Sequence, residues 1–163
     1  MSEGLVVKTM EQYMAEGKQP EILFWVGSAG SYDDRAKKIS RAFARILNKA
    51  NVEFAVLGAE ESNTGDVAKR AGNEFLFQMQ AMMNIEVLNG YEIKRIVTCD
   101  PHSFNTLKNE YPSLGGNYDV VHHTEYIKVL LDSGRLSLEG ETYKAKRITF
   151  HDPCYLGRAN SVF

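Results

Sequence analysis

Cys99-Asp100-Pro101-His102-Ser103 places a thiol, a carboxylate, an imidazole and a hydroxyl on consecutive turn positions, directly behind the short apolar run Ile96-Val97-Thr98. A second set, His151-Asp152-Pro153-Cys154, follows Ile148-Thr149-Phe150. Cys99-x-x-His102 and His151-x-x-Cys154 are mirror images, and together they offer two thiolates and two imidazoles, a donor set suited to tetrahedral zinc. Asp100, His122 and His123 are alternatives for one of those donors, or could orient it by a hydrogen bond. The competing reading is structural: Cys99 packs as a small apolar side chain and the histidines bond to loop backbone. Cys99 or Cys154 with a histidine base would also suit nucleophilic catalysis, although no local signature supports it and an inert thiol is the plainer state. Gly27-Ser28-Ala29-Gly30-Ser31 has the glycine content of a phosphate cradle before a helix. It lacks both G-x-G-x-x-G and a lysine within the turn, so an ordinary tight turn is the better reading.

These groups need elements to carry them. Proline disfavours helix at the residue before it and suits the first turn of a new one, so Ile93–Thr98 reads as a strand, Cys99-Asp100 as its exit, and Pro101 as a helix start that runs to about Tyr111-Pro112. Ile22-Leu23-Phe24-Trp25-Val26 is a continuous apolar run, as expected of a strand buried on both faces. Asp33 and Asp34 open a helix whose apolar residues Ala36, Ile39, Phe43, Ile46, Leu47 and Ala50 fall at helical spacing. A second strand spans Val52–Leu57, and a long helical region runs from about Val67 to Leu88. Phe75, Met79, Met82 and Met83 on that helix are expected in the core, where Met fills irregular gaps. Tyr118–Val121 is a fourth strand ending at His122-His123, Thr124 is a candidate cap for a helix over Glu125–Leu131, and Ile148–Phe150 is a fifth strand. Leu136–Tyr143 reads as a small hairpin or an irregular connection. Residues 1–20 read as a leader with a short helix around 9–16. Strands alternating with helices predict a parallel sheet, and its strand exits would then collect every histidine and cysteine of the chain.

At 163 residues the chain suits one domain with a real core. A net charge of −2 implies no general surface for nucleic acid, and no apolar run approaches the ~20 residues that span a bilayer. The N-terminus lacks the basic-then-apolar order of a signal peptide. Two cysteines make no disulfide framework, so a reducing, cytoplasmic compartment is expected.

Four stretches closely resemble one family. They are Phe24–Ser31, Glu60–Asp66, Pro101–Pro112 and His151–Arg158. The family is the cysteine-rich iron–sulfur domain shared by the B-type subunit of heterodisulfide reductase and the iron–sulfur subunits of glycolate and lactate oxidation systems. The resemblance, which runs from about residue 20 to the end of the chain, implies a three-layer α/β fold with a mainly parallel sheet, flavodoxin-like in outline. It also implies an iron–sulfur redox or electron-transfer role beside a flavoprotein or ferredoxin-type subunit. The family pattern places cluster-binding cysteines where this chain has Ser28, Asn63, Asp100, Ser103 and Cys154, so only the last keeps its sulfur. Cys99 is displaced by one residue from a ligand position, and the downstream C-C-G motif does not occur before Phe163.

Clusters are held by thiolates, so the resemblance carries the fold further than the cofactor. The expectation is a cluster site that is incomplete, through decay or deliberate replacement, in a chain inactive by itself. A zinc module using Cys99, His102, His151 and Cys154, or a cluster-free interaction domain, are the alternatives. The family is built from two similar halves. That suggests a leader over 1–20, a first domain over 21–145 and the start of a second half over 146–163, with exposed apolar residues such as Val162 and Phe163 favouring self-association.

Overall fold

The computed structural model describes residues 4–140 and 146–163. Five parallel strands form one sheet: β1 (Lys8–Thr9), β2 (Ile22–Trp25), β3 (Phe54–Val56), β4 (Arg95–Thr98) and β5 (Asp119–His122), in the order β1-β3-β2-β4-β5. The helices are α1 (Met10–Ala15), α2 (Gly27–Tyr32), α3 (Asp34–Lys49), α4 (Asp66–Arg70), α5 (Glu74–Gly90), α6 (Pro101–Asn105), α7 (His123–Asp132) and α8 (Cys154–Asn160). Helix α6 continues through a wider turn over Thr106–Glu110 and a tight one over Tyr111–Leu114.

Alternation along the strands divides the core in two. Leu23, Trp25, Ala55 and Ile96 face a cluster with Met10, Phe77, Leu88, Phe104 and Tyr111. Ile22, Phe24, Phe54 and Val97 face the other side, against Phe43, Leu47, Tyr126 and Leu130. Successive side chains of a strand point to opposite faces, so a wholly apolar strand such as Ile22–Trp25 requires a helical layer on each face, and it has both. The parallel sheet expected from the alternating elements and the three-layer α/β arrangement implied by the resemblance are both observed.

Several elements differ from expectation. The stretch read as a leader supplies an edge strand, Lys8 and Thr9 pairing with Ala55 and Val56; the short helix expected around 9–16 is present as α1, which buries Met10 and Tyr13. The long helix is two, because Gly72 (φ +81°) interrupts it and Asn73 caps the second piece by accepting from the Leu76 N–H. Phe75, Met79, Met82 and Met83 are exposed, not core; the buried face of α5 is Phe77, Ala81, Asn84, Ile85 and Leu88. Helix α7 starts one residue after its N-cap, His122, so Thr124 lies within it rather than capping it. Ile148–Phe150 forms no strand: Ile148 and Phe150 are 68% and 80% exposed, and no neighbouring strand is paired with them. Apolar content favours a strand only where a partner strand supplies the hydrogen bonds. In the predicted hairpin, residues 137–140 have no regular structure and 141–143 lie outside the described residues. Near the C-terminus, Val162 packs against the core while Phe163 is exposed.

The two faces of α5 give a direct check on this correction. Leu88→Ala removes a fully buried side chain and is expected to cost ~2–5 kcal/mol in urea unfolding. Met82→Ala, on the exposed face, is expected to stay within ~0.5 kcal/mol. Equal losses would contradict the assigned faces.

Candidate functional site

The chain crosses from β2 to β3 on one side and from β4 to β5 on the other, so the crossovers diverge at the carboxyl ends of β2 and β4. In open α/β sheets this is where a crevice forms. A cavity of about 270 Å³ lies there, and its wall includes Ser28, Asn63, Asp100 and Ser103 together with Trp25, Asp66 and His102.

Each wall has a local cause. After β2 the backbone turns at Gly27 with φ +76°, a left-handed conformation that favours glycine. A Cβ there would lie 3.5 Å from Ser103 Oγ and 3.8 Å from Asp100 Oδ2. The carboxylate of Glu61 accepts from the Val26 and Gly27 N–H groups at 3.0 and 2.6 Å, tying the β2 exit to the β3 exit. After β4, Asp100 is the N-cap of α6 and Pro101 occupies the first turn. The Asp100 carboxylate accepts from His102 N–H (3.1 Å), Ser103 N–H (3.1 Å) and Ser103 Oγ–H (2.7 Å). Asn63 closes the third wall, its Oδ1 accepting from Gly65 N–H (2.8 Å) and its Nδ2 donating to Ser28 Oγ (3.2 Å).

A buried polar network sits beneath this wall, and sequence reasoning passed over its members. Asn84 Nδ2 donates to the Asn63 carbonyl (2.9 Å) and to Tyr111 Oη (3.0 Å), and Tyr111 Oη donates to the Thr64 carbonyl (3.1 Å). Asp66 is buried and accepts from His102 Nδ1 (2.9 Å), Arg70 Nε (3.1 Å) and Thr106 Oγ1 (3.3 Å). Gly65 must lack a side chain, since at φ +86° a Cβ would meet Phe77 Cδ2 at 2.8 Å. A lone Asn in an otherwise apolar helix stripe, at Asn84, was the available signal. Trp25 is fully buried in the cavity wall and its indole N–H has no hydrogen-bond partner. A buried donor without an acceptor costs ~1–3 kcal/mol.

The remaining candidates lie elsewhere. Cys99, His122 and His123 line a separate cavity of about 440 Å³ between the exits of β4 and β5 and the C-terminal segment. Burial, reinforced by Asp100, pushes the Cys99 thiol up to about 12. Burial and the neighbouring His122 push His123 down to about 4, and burial also lowers His122. Burial thus favours the neutral form of both imidazoles. His122 lies within hydrogen-bond range of Thr124 Oγ1 (2.8 Å), the Cys99 carbonyl (3.3 Å) and His123 Nδ1 (3.1 Å), so the pair braces the two strand exits. Cys154 is exposed at the start of α8, 3.5 Å from an Arg158 nitrogen. His151 is exposed in the segment before α8, whereas His102 packs on Tyr155 with ring centroids 4.2 Å apart. Thus Cys99 and His102 line different cavities, and neither His151 nor Cys154 is among the lining residues of either. Among the described residues, no group of three or more His, Cys, Asp and Glu side chains is gathered so as to hold a metal ion.

Comparison with known families identifies the family of the chain. The family profile CCG, cysteine-rich domain, matches residues 22–108, more than half of the chain. The chain belongs to the cysteine-rich domain family. Its relatives include a Bacillus subtilis protein described as probable iron-sulfur-binding oxidoreductase FadF, 49% identical over 96% of this chain and 22% of its own length. The EtfAB:quinone oxidoreductase of Syntrophomonas wolfei is 45% identical over 91% of this chain and 20% of its own. A subunit of the dihydromethanophenazine:CoB--CoM heterodisulfide reductase of Methanosarcina barkeri is 30% identical over 88% of this chain and 36% of its own. The chain therefore spans between about a fifth and about a third of these relatives. No solved structure matches it.

As a cysteine-rich domain the chain departs from its name, having only two cysteines, neither of which lines the cavity at the β2 and β4 exits. The donors in that wall are hydroxyl, amide, carboxylate and the single imidazole of His102, which is held by Asp66, while clusters are held by thiolate sulfur. The Asp100 carboxylate is already engaged by three donors that hold the start of α6. These residues do not fit an iron–sulfur cluster.

Two measurements check this geometry. Burial pushes the Glu61 carboxyl up to about 7, against the opposing pull of its two backbone N–H bonds. With the folded pKa above the ordinary value of 4.5, the stability gained from this group is complete below about 4.5 and lost as pH rises through about 7. Across a pH series of urea unfolding, the wild type should therefore lose stability relative to Glu61→Gln within that window; a constant difference would contradict the assignment. In thiol titration with a disulfide reagent near pH 8, Cys154 should react at least ~10-fold faster than Cys99, whose thiolate is disfavoured. Equal rates would contradict the environment assigned to Cys99.

Proposed function

We propose that this chain is a redox-family scaffold domain in which a hydrogen-bonded polar set has taken the place of an iron–sulfur cluster. The carrying observation is that Ser28, Asn63, Asp100 and Ser103, separated by up to 75 positions in sequence, line one cavity at the β2 and β4 exits with no thiol among its lining residues. These are the positions at which the family pattern expects cluster-binding cysteines. Cys154, the fifth, belongs to the same set in this reading, and lies on α8, which packs against α6 beside the cavity.

The relatives are described as iron–sulfur-binding and quinone- or heterodisulfide-linked oxidoreductases. We take the present chain to descend from such an electron-transfer module and to work beside a flavoprotein or ferredoxin-type subunit, with no redox activity of its own. Its organisation is then a first cysteine-rich-type domain over 21–145, preceded by the segment 1–20 and followed over 146–163 by the start of a second, similar half. Among the described residues no helix is long and apolar enough to cross a membrane, and two unpaired cysteines suit a reducing, cytoplasmic setting.

The test is anaerobic reconstitution with iron and sulfide, followed by iron and acid-labile sulfide analysis. The wild type should retain no stoichiometric iron. The variant Ser28→Cys/Asn63→Cys/Asp100→Cys/Ser103→Cys should gain iron, sulfide and visible absorption. A stoichiometric cluster in the wild type would overturn the proposal. So would a folded variant that takes up no more iron than the wild type, since the cavity would then lack the geometry assigned to it. Stoichiometric zinc in the wild type, lost on Cys154→Ala, would instead favour a zinc module built on Cys99, His102, His151 and Cys154.

A further inference from the structure

Helix α5 is apolar on two faces. Phe77, Ala81, Ile85 and Leu88 pack into the core. On the outside, Phe75 (75% exposed), Leu76, Met79, Met82 (60% exposed) and Met83 form a second stripe at helical spacing. From Phe75 to Met83 this stripe runs ~12 Å along the axis at ~1.5 Å per residue. Scattered exposed apolar residues are ordinary, but a contiguous stripe of large ones marks an interaction surface. Met and Phe at i, i+4 and i+7 make the kind of adaptable apolar face that receives an amphipathic helix.

Charge narrows the occupant. The charged residues of α5 are Glu74 and Glu86, both exposed, and the helix carries no cation. The nearest cations in the preceding helix are engaged: Lys69 Nζ lies 3.4 Å from Glu110 and 4.2 Å from the Phe77 ring centroid, and Arg70 pairs with Asp66 at 3.1 Å and with Glu110. A second copy of α5 laid across the stripe would bring acid to acid whether parallel or antiparallel, which disfavours self-pairing. We infer that the outer face of α5 is a docking surface for an amphipathic helix of a partner protein whose apolar stripe is flanked by lysine or arginine. The apolar residues supply the burial, and Glu74 and Glu86, near the two ends of the stripe, set the register by pairing with the partner's basic flanks.

The experiment uses the full chain, a fluorescein-labelled Leu/Lys amphipathic helical peptide as probe, and its Leu/Glu twin as control, read by fluorescence anisotropy. The Leu/Lys peptide should bind about tenfold or more tighter than its twin. Met79→Gln/Met82→Gln, at exposed positions that should leave folding intact by circular dichroism, should weaken binding of the Leu/Lys peptide by about tenfold or more. Glu74→Gln/Glu86→Gln should reduce the preference for the Leu/Lys peptide over its twin. Equal affinity for both peptides, or binding unchanged in the methionine variant, would overturn the inference. So would a dimer in light scattering, or attachment to phosphatidylcholine vesicles, that is abolished by the methionine substitutions while neither peptide binds: the surface would then serve a second copy or a membrane.

Discussion

The carboxyl edge of this sheet depends on the three hydrogen bonds that the Asp100 carboxylate accepts from the His102 N–H, the Ser103 N–H and the Ser103 hydroxyl. The first N–H groups of a helix have no partner within it, and an aspartate at the cap supplies one. That bond set fixes where α6 begins. It thereby fixes Ser103 opposite Gly27, and it places His102 where its Nδ1 reaches Asp66. The β3 exit is bound in from the other side by Glu61 and Asn63. A polar residue in the cap position can preserve such a turn without any metal, and that explains how the loops keep their shape while presenting oxygen and nitrogen donors.

Much of this was legible in the sequence because it rests on local rules. The unbroken apolar run Ile22–Trp25 demanded helices on both faces, and the sheet has them. Asp33 signals the opening of a helix, and its side chain caps α3 by accepting from the Arg35 and Ala36 N–H groups. Pro101 marks the start of α6 for the same kind of reason. The failures came where tertiary partners decide. The Ile148–Phe150 segment has strand composition but no strand beside it among the described residues. The Met stripe of α5 has core composition, but Phe77, Ala81, Ile85 and Leu88 already fill the inner face. The edge strand at Lys8–Thr9 is two residues long and exists only through its pairing with Ala55 and Val56, which no local pattern announces.

The site divides in the same way. That the strand exits would carry the chemistry followed from topology alone; of the five positions that the resemblance marks, Ser28, Asn63, Asp100 and Ser103 fall within one cavity wall, and Cys154 does not. The mirrored Cys-x-x-His pairs suggested a shared site that the fold does not assemble: Cys99 faces the cavity braced by His122 and His123, whereas His102 faces the other. Adjacent residues at a strand exit point to opposite sides, so a displacement of one residue moves a thiol from one cavity to its neighbour. Nor could sequence spacing find Tyr111 and Asp66, which support the wall from beneath through bonds across more than 20 positions.

In the proposed reading, polar side chains occupy the place of a cluster and hold its cavity in shape. A crystal structure of the wild-type chain, grown anaerobically after incubation with iron and sulfide, tests it most directly. The expected result is a cavity without a cluster, with Asn63 Nδ2 bonded to Ser28 Oγ and the Asp100 carboxylate bonded to Ser103. Iron and sulfur density between those residues, with the two bonds broken, would contradict it.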